Sequence, residues 1–322
     1  MRFLPIYSLI LRAAGIFWRF REREGVHPTA VPGVQLARIS EPSPRRPVLY
    51  EPMILFIGQG RKRGYLGGQV LRYDAGHYLA LSVPVPVECE VDASPAEPLL
   101  AVKVAVEPAM LAEIPVNLDE PAREGVVPRG IDAGPLTPEL ADAVVRLLEC
   151  LRRPADSRIL GPQIVREIVY RVLQDESGSG AGAALRALAA RNDKFMRIAR
   201  VLQQIHADSA GSLGTEELAK RARMSVSTFH HNFKAVTATS PLRYSKSVRL
   251  HRARLLMVHA GHNASTAAAA VGYESASQFG REFKRFFGAT SAEEAALLRA
   301  RWARASSTRL ASRPRRTASE KL

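Results

Sequence analysis

A short pattern near the C-terminus occurs twice, and it restricts the possible folds more than any other feature of the sequence. Six positions are identical when residues 219–234 are laid over residues 269–284, at an offset of fifty residues. The matched pairs are Ala219 and Ala269, Ser225 and Ser275, Ser227 and Ser277, Phe229 and Phe279, Phe233 and Phe283, and Lys234 and Lys284. In each copy, two Phe residues spaced four apart lie on one face of a predicted helix, behind a Ser that can cap it. Each copy therefore predicts a helix-turn-helix unit, in which one helix braces a second helix whose polar face is free to enter a groove.

The residues around the repeat predict the helices of both units. Thr215 is the expected N-cap of the first bracing helix. The residues expected to pack between the two helices of the first unit are Leu218, Ala219, Ala222, Val226, Phe229 and Phe233. In the second unit, residues 267–271 form the bracing helix, Gly272 ends it, and Ser275-x-x-Gln278 matches a capping box. Between the units, Pro241 starts a helix of roughly 25 Å, which suits two recognition helices held about one duplex turn apart.

Charge divides the chain into a neutral and a basic part. Residues 1–193 contain 23 Lys and Arg against 23 Asp and Glu, whereas residues 194–300 contain 16 against 7 and residues 301–322 contain 7 against 1. The whole net charge of +15 thus lies in the last 129 residues. A basic half binds a polyanion favourably because each Lys or Arg that meets a phosphate releases counterions. A sensor joined to a nucleic-acid reader fits this division, although a basic surface alone would produce the same balance.

The neutral part reads as β-structure followed by helices. Its apolar runs give five predicted strands, Val48–Tyr50, Met53–Ile57, Gln69–Tyr73, His77–Val83 and Leu99–Val104. Short strands at close spacing indicate a small barrel or sandwich, whose mouth can hold one small ligand. The glycine-rich run of residues 58–64 lacks the Gly-Lys-Ser/Thr ending of a phosphate-binding loop, so we interpret it as a hairpin with basic tips.

Two amphipathic helices are expected after the strands. Their apolar stripes are Leu140, Val144, Leu147, Leu148 and Leu151 in the first helix, and Ile164, Ile168, Val172 and Leu173 in the second. This helical hairpin would complete the core of the barrel or pair with a second subunit, and the pattern favours neither. The Gly- and Ser-rich residues 175–182 predict a flexible break, which places a domain boundary between there and Asp193.

The sequence provides few groups for catalysis or metal binding. Cys89 and Cys150 form no disulfide framework and have no metal-ligand spacing, which indicates a reducing compartment. The first 193 residues contain only two histidines, His27 and His77, so we expect no metal site, no cofactor and no catalytic residues there. The apolar run of residues 3–11 is too short to span a bilayer, and we interpret residues 1–46 as an N-terminal extension.

Residues 195–299 resemble the C-terminal DNA-binding domain of the AraC/XylS family of transcription regulators. The motifs that carry the resemblance are Leu218-Ala219, Met224-Ser-Val-Ser-Thr-Phe229, Phe233-Lys234, Ser240-Pro241, Tyr244, Arg249-Leu250, Ala253, Val271-Gly-Tyr-Glu-Ser-x-Ser-x-Phe279, Arg281-x-Phe-Lys284 and Phe287-Gly288. The N-terminal part is similar to the cupin-like domain of one branch of that family, through Gly60-Arg-Lys-Arg, Tyr73-Asp-x-Gly76-x-Tyr78-Leu79, Ser82-Val83, Pro86-Val87 and Ile164-Val-Arg-Glu-Ile168-x-Tyr-Arg171. One departure concerns the first turn, where Arg223 stands in place of the Gly that the family often has.

The resemblance and the patterns together imply an α+β protein. A small cupin-like β-barrel with a helical hairpin is followed by an all-α domain, in which a long helix joins two helix-turn-helix units. The expected divisions are residues 1–46 as the extension, 47–183 as the effector or dimerisation domain, 194–300 as the DNA-binding domain, and 301–322 as a basic disordered tail.

By position, the resemblance implies which side chains meet DNA. The expected DNA-binding residues are Ser225, Ser227, Thr228, His230, His231 and Lys234 in the first unit, and Ser275, Ser277, Gln278, Arg281, Lys284 and Arg285 in the second. Arg281 is the strongest candidate for a base contact, since a guanidinium can bond guanine O6 and N7 together. Lys284 and Arg285 are expected to bind phosphates and to set the register. A solvated helix face would explain His230 and His231 equally well.

The effector side of the prediction is less specific. Tyr73, His77, Tyr78 and Cys89 are the polar or reactive side chains of the strands and are the candidate effector-binding residues, although strand packing explains each of them too. The expected function is a cytoplasmic, sequence-specific transcription regulator that binds double-stranded DNA and a small-molecule effector, with RNA polymerase and a second copy of the chain as candidate partners. Two alternatives stay open at this point. One is an enzyme whose barrel is tethered to nucleic acid, and the other is an architectural protein that binds any duplex.

Overall fold

The computed structural model describes residues 24–114, 127–175, 180, 182–190, 192–207 and 213–300. The predicted basic tail, the apolar run at residues 3–11 and most of the Gly- and Ser-rich break lie outside these residues. The described strands are β1 (Gly25–Pro28), β2 (Val34–Ile39), β3 (Ser43–Tyr50), β4 (Met53–Gln59), β5 (Arg61–Leu66), β6 (Gln69–Asp74), β7 (His77–Leu81), β8 (Val85–Asp92), β9 (Leu99–Ala105) and β10 (Ile131–Pro135).

The strands form two antiparallel sheets that face each other. The first has the order β1-β2-β9-β4-β7-β10 and the second has the order β3-β8-β5-β6. The two sheets are linked by a bridge between Ile57 and Ala75 and do not close into one barrel. The expected α+β class is therefore confirmed, with an open pair of sheets where the sequence predicted a small barrel.

The glycine-rich run after β4 is a corner between the sheets and not the hairpin that we predicted. β4 pairs with β7 and β9, whereas β5 pairs with β6 and β8, so the chain crosses from one sheet to the other at Gly60. Gly60 has a φ of +80°, and a Cβ atom there would lie 2.9 Å from the Cα of Leu99. Only glycine fits such a conformation at so close an approach. Spacing within the sequence could not reveal this, because the partners of each strand are distant in the chain.

The N-terminal boundary also differs from the prediction. β1, β2 and the first half of β3 precede residue 47, which means that residues 25–46 are part of the sheets and not of an extension. β2 pairs along its length with β9, and Val34 and Leu36 are buried in the core. Arg and Pro residues interrupt the apolar alternation in this segment, which weakens its strand signal.

The helical hairpin covers the outer face of the first sheet. Helix α1 (Pro108–Glu113) is followed by α2 (Pro138–Cys150), α3 (Pro154–Ile159) and α4 (Gly161–Leu173). The predicted stripes of α2 and α4 are buried or partly buried in one cluster with Ile54 and Phe56 of β4. The other face of β4 presents Met53, Leu55 and Ile57 to the space between the sheets. The hairpin therefore completes a core, as one of the two open readings expected.

The described residues from 183 onwards contain helices and no strands. These helices are α5 (Ala183–Ala189), α6 (Asp193–Ala207), α7 (Thr215–Arg221), α8 (Val226–Thr237), α9 (Pro241–His259), α10 (Ala264–Ala270) and α11 (Ala276–Phe287), followed by helical residues 291–300. Ser240 caps the long helix α9, accepting a hydrogen bond from the backbone N–H of Arg243, and Pro241 stands at its first position. The long helix separates α7 and α8 from α10 and α11, as the sequence predicts.

The apolar cores do not follow the predicted division between the two parts of the chain. One cluster joins the space between the sheets to α5, α6, α7, α8 and the first half of α9. A separate cluster holds α10, α11 and the second half of α9. Helix α5, which lies between the two predicted domains, contributes Leu185 to the core under the hairpin and Ala184 to the shared core. The first helix-turn-helix unit is thus packed against the sheets, and the second has a core of its own.

Polar contacts also connect each helix-turn-helix unit to the N-terminal part of the chain. The backbone N–H of Gly130 donates to Val236 O at 2.8 Å, and a Cβ atom at position 130 would lie 3.1 Å from that oxygen. For the second unit, the side chain of Glu294 is 3% exposed and accepts from Arg254 of α9 at 3.3 Å and from Arg46 of β3 at 3.2 Å. The sheets therefore contact the first unit through a core and the second mainly through charged side chains.

A partly buried histidine links α6, α9 and the sheets. His206 Nε2 lies 2.9 Å from the Tyr244 hydroxyl, which donates to Pro84 O at 2.8 Å. The Tyr244 hydroxyl uses its hydrogen on Pro84, so the neutral imidazole donates from Nε2. Burial lowers the pKa of His206 to about 4.

This lowered pKa predicts a loss of stability in mild acid. The unfolded chain binds a proton at His206 below its ordinary pKa of about 6.5, whereas the folded chain does not until about pH 4. The contribution of His206 to the free energy of unfolding should therefore be fully present above pH 6.5. It should fall by about 2–3 kcal/mol as the pH is lowered towards 4. His206→Gln retains a donor and cannot titrate, so urea unfolding of this variant should show a shallower loss over the same range. An equally steep loss in His206→Gln would contradict the assignment.

Candidate nucleic-acid interface

The first helix-turn-helix unit is built from α7 and α8. Gly214, and not Thr215, is the N-cap of α7, while Glu216 and Glu217 lie in the first turn, where the helix dipole favours acidic side chains. Ser225 caps α8 by accepting from the backbone N–H of Thr228 at 3.2 Å. Phe229 and Phe233 are both completely buried. Helix α8 is therefore specified locally by its capping Ser225 and fixed in space by its apolar stripe, whereas α7 begins at a glycine without a capping side chain.

The second unit repeats this construction in α10 and α11. Asn263 caps α10 through the N–H of Thr266, and Ser275 caps α11 through the N–H of Gln278. Phe279 and Phe283 are buried, and Tyr273 packs edge-on against Phe279. The core of this unit is rich in aromatic rings. Helix α10 itself contributes only the small side chains of Ala267 and Ala268 to this core, so the aromatic rings fill most of its volume.

The turn of the second unit is one residue longer than the turn of the first. The N-caps of the bracing helices, Gly214 and Asn263, are 49 residues apart, whereas those of the recognition helices, Ser225 and Ser275, are 50 apart. Ala219 is buried but Ala269 is exposed, so the structural counterpart of Ala219 is the buried Ala268. The pairing of Ala219 with Ala269 in the sequence repeat is therefore wrong, and the pairs from Ser225 onwards keep their register.

The polar faces of the two recognition helices, α8 and α11, are open. All twelve side chains predicted to bind DNA are exposed, from Ser225 to Lys234 in the first unit and from Ser275 to Arg285 in the second. The prediction for Val226 is wrong, because its side chain is 44% exposed and does not pack between α7 and α8. It is the first residue of α8 and points away from the apolar stripe of Phe229 and Phe233.

The charges of these faces are only partly neutralised. Among the residues that the structure describes, no ion pair or hydrogen bond holds Arg281 or Arg285. Lys284 lies close enough to Glu293 to contribute to the lowered pKa of that carboxyl, after the hydrogen bonds from Thr290. Ser225 Oγ donates to Thr228 Oγ1 at 2.8 Å, so these two hydroxyls are partly committed to the cap.

Lys234 also borders a crevice between the sheets and the first unit. The crevice has a volume of about 220 Å³ and is lined by apolar side chains such as Leu66, Leu71 and Ile131. Lys234 and Arg129 supply the cationic groups, and Arg129 donates to the Gln69 side chain. Arg129 had no part in the sequence prediction, since nothing in its neighbourhood along the chain points to Lys234.

The four candidate effector residues do not share one site. Tyr73 and Cys89 lie together between the sheets, where Cys89 Sγ is 3.3 Å from the Tyr50 hydroxyl. Tyr78 faces the other core and donates to Asp175, and His77 is half exposed beside Asp74 at 2.7 Å. The effector set predicted from sequence is therefore divided between two cores and the surface.

The structure also gives Cys89 a cationic neighbour that the sequence did not show. Burial lowers the pKa of Lys62, and an interaction with Cys89 opposes that effect. The Lys62 ammonium lies 5.1 Å from the centre of the Tyr50 ring. Within the described part of the chain, His, Cys, Asp and Glu form no group of three or more that could hold a metal ion. None of the described helices is long and apolar enough to cross a bilayer.

Comparisons with known proteins identify both parts of the chain. Residues 30–180 match the family model of the AraC-type transcriptional regulator N-terminus, and residues 218–294 match that of a helix-turn-helix domain. A search of the curated proteins finds no match.

Solved structures match the fold over most of the chain. The structure of ToxT from Vibrio cholerae strain SCE256 with an unsaturated fatty acid has a TM-score of 0.57 at 12% identity, covering 81% of this chain and 94% of that chain. ToxT from V. cholerae O395 with (E)-4-(8-methylnaphthalen-1-yl)but-3-enoic acid has a TM-score of 0.54 at 11% identity, covering 82% and 98%. The DNA-binding domain of AdpA in complex with a target DNA is 28% identical and has a TM-score of 0.31, covering 33% and 95%. At these TM-scores, the two ToxT structures show a common fold.

The turn of the first unit contains a strained residue whose replacement should stabilise the protein. Arg223 has a φ of +52°, in the region that disfavours side chains by about 1–2 kcal/mol. Its carbonyl accepts from Arg197 at 2.9 Å, a bond that a glycine would keep. We expect Arg223→Gly to raise the free energy of unfolding by about 0.5–1 kcal/mol, after the entropy cost of glycine. Lys220→Gly, inside α7, is the control and should lower it by about 1 kcal/mol in the same urea titration.

Proposed function

Because the chain belongs to the AraC/XylS family and is a DNA-binding transcription regulator, we propose that its two recognition helices read one specific duplex sequence. The observation that carries this proposal is the burial of both Phe pairs, Phe229 with Phe233 and Phe279 with Phe283. That burial leaves equivalent positions of α8 and α11 exposed in both units. The long helix α9 spaces the units so that they can face successive segments of the major groove.

Within this proposal the exposed side chains have different roles. Arg281 reads a guanine, because it is exposed and no acidic partner among the described residues holds it. Lys284 and Arg285 bind phosphates, and so does the ammonium of Lys234 at the end of α8. Ser227, His230 and His231 reach base edges from the first unit, while Ser225, Thr228, Ser275 and Ser277 bind the backbone near the helix N-termini.

Selection of duplexes from a random DNA pool, followed by binding measurements, tests these roles. Arg281→Ala should cost about 1–3 kcal/mol, mainly at one base pair, because a bidentate base contact is lost. Lys284→Ala should weaken all sequences alike and reduce the slope of log affinity against log salt by about one. Equal losses on selected and scrambled duplexes for Arg281→Ala would reject its role. The absence of any preferred sequence would instead favour an architectural protein.

We propose further that the effector is a carboxylic acid with an apolar body, bound in the crevice beside Lys234 and Arg129. The support is the chemistry of the crevice, which combines an apolar wall with two cations. Both ToxT structures described above hold acids of this kind. A ligand there would contact the sheets and the first recognition helix together. Regulation requires that it bind the DNA-competent and incompetent states with different affinities.

Arg129 provides the test of the effector proposal, because it lies outside the recognition helices. With a long-chain unsaturated fatty acid as the probe, Arg129→Gln should weaken binding by about 1.5–3 kcal/mol, the loss expected for a hydrogen-bonded charge. DNA affinity without the fatty acid should stay unchanged. Arg72→Gln, on the exposed face of β6, is the matched control and should bind the probe normally. Calorimetry that finds the same affinity in all three proteins would contradict the proposal.

The remaining parts of the proposal concern partners and location. Ile159, Leu160 and Tyr170 expose apolar surface on α3 and α4 and the connection between them, which suits a contact with a second copy of the chain. Regulators of transcription act at promoters, so the proposal includes a cytoplasmic location and a contact with RNA polymerase. The two regulator families point to a non-enzymatic transcription factor, and we propose no catalytic residues and no cofactor.

A further inference from the structure

Glu282 occupies an unusual position on the second recognition helix. Its side chain is 19% exposed and turns towards α9, where Lys246 Nζ lies 2.7 Å from Oε1. The Tyr273 hydroxyl donates to Oε2 at 2.8 Å. Burial raises the pKa of Glu282, but hydrogen bonds from Lys246, Tyr273 and Gln278 outweigh that effect and hold the pKa below its ordinary value. The carboxylate is therefore ionised at neutral pH and accepts hydrogen bonds only.

Gln278 lies one turn before Glu282, on the exposed face of α11. Its Nε2 donates to Glu282 Oε1 at 3.3 Å. The cap of the helix uses the backbone N–H of Gln278 and not its side chain, because Ser275 Oγ accepts that N–H at 3.3 Å. The reciprocal half of the predicted capping box is thus replaced by a contact with Glu282.

The carboxylate decides which way the Gln278 amide points. A reversed amide would place its oxygen against a carboxylate oxygen, two acceptors with no hydrogen between them. The observed orientation keeps Oε1 free as an acceptor and leaves one N–H of the amide free as a donor. Adenine offers the complementary pair in the major groove, with N7 as acceptor and the N6 amino group as donor. Guanine offers two acceptors, N7 and O6, so its O6 would meet the amide oxygen.

We propose that Glu282 is a positioning residue that holds the Gln278 amide so that the second unit selects adenine over guanine at one base pair. The proposal rests on the proposed function, since it assumes that α11 enters the major groove. Lys246 takes part by neutralising the carboxylate, which would otherwise repel the DNA phosphates. The device belongs to the second unit alone. At the equivalent positions of α8, Thr228 bonds to the cap and Asn232 is buried with its amide 3.6 Å from Met224 Sδ.

The test compares base preferences of the full chain and its variants on the selected duplex. The wild type should prefer adenine over guanine at one position by about 5- to 150-fold, the range for one bidentate pair. Gln278→Ala should remove that preference. Glu282→Gln offers both a donor and an acceptor and so releases the orientation of Gln278. It should reduce the preference at the same position by about 3- to 10-fold, and the double variant should lose no more than Gln278→Ala does.

Two controls separate positioning from stability. The preference at the base pair that depends on Arg281 should be unchanged in Glu282→Gln. Glu217→Gln removes the acid of an ion pair on α7, 3.0 Å from Arg221, and should leave the whole profile unchanged. Glu282→Asp, whose shorter side chain does not reach Gln278, is a second variant in case Glu282→Gln unfolds. Thermal unfolding of each variant shows which of them are folded.

The base preferences of the folded variants distinguish the proposal from its alternatives. A loss of the adenine preference in both Gln278→Ala and the Glu282 variants supports the proposal. Folded Glu282 variants that weaken all sequences alike, with the adenine preference intact, would overturn it and leave the proposed function standing. A wild type with no preferred sequence would overturn both. A preference for a base other than adenine that depends on Gln278 would overturn the inferred orientation of the amide.

Discussion

The burial of Phe229 and Phe233 is the interaction on which the arrangement of the molecule depends. Phe229 packs on Phe233, which packs edge-on against Tyr244 of the long helix, and both rings belong to the same apolar cluster as Leu81 and Val85 of the N-terminal sheets. Loss of one such ring costs about 3–5 kcal/mol in a packed core, a large part of the stability of a domain. The first unit is consequently an extension of the sandwich and not a separate domain at the end of a tether.

The second unit is attached in a different way. Its rings, among them Phe279 and Phe283, form a cluster with the second half of α9 and contribute nothing to the core between the sheets. Its position relative to the first unit depends on the stiffness of α9, on Lys246 with Glu282, and on the pairing of Glu294 with Arg254 and Arg46. The two units share a motif, but the cost of moving them relative to the sheets differs.

The sequence predicted the features whose causes are local. Caps and Phe stripes depend on residues within one or two turns, so both recognition helices and their exposed faces follow from spacing alone. The corner at Gly60, the inclusion of residues 25–46 in the sheets and the extra residue in the second turn depend on partners far along the chain. Glu282 and Gln278 are one helical turn apart, so their contact can be predicted from their spacing in the sequence. The third member, Lys246, comes from α9 and reaches them only through the fold.

The difference in attachment determines which motion an effector can cause at low cost. Separating the first unit from the sheets would expose the shared core, which no ligand of ordinary affinity could offset. Detaching Arg46 from Glu294 leaves the buried carboxylate paired with Arg254, so no buried charge loses its last partner. Arg46 is about a third exposed, so its guanidinium regains water when this contact opens. Moving the second unit therefore costs less than opening the shared core, and the resistance that remains is the stiffness of α9 and the pair of Lys246 with Glu282. A ligand reorients the second unit only if its difference in affinity for the two states exceeds that cost.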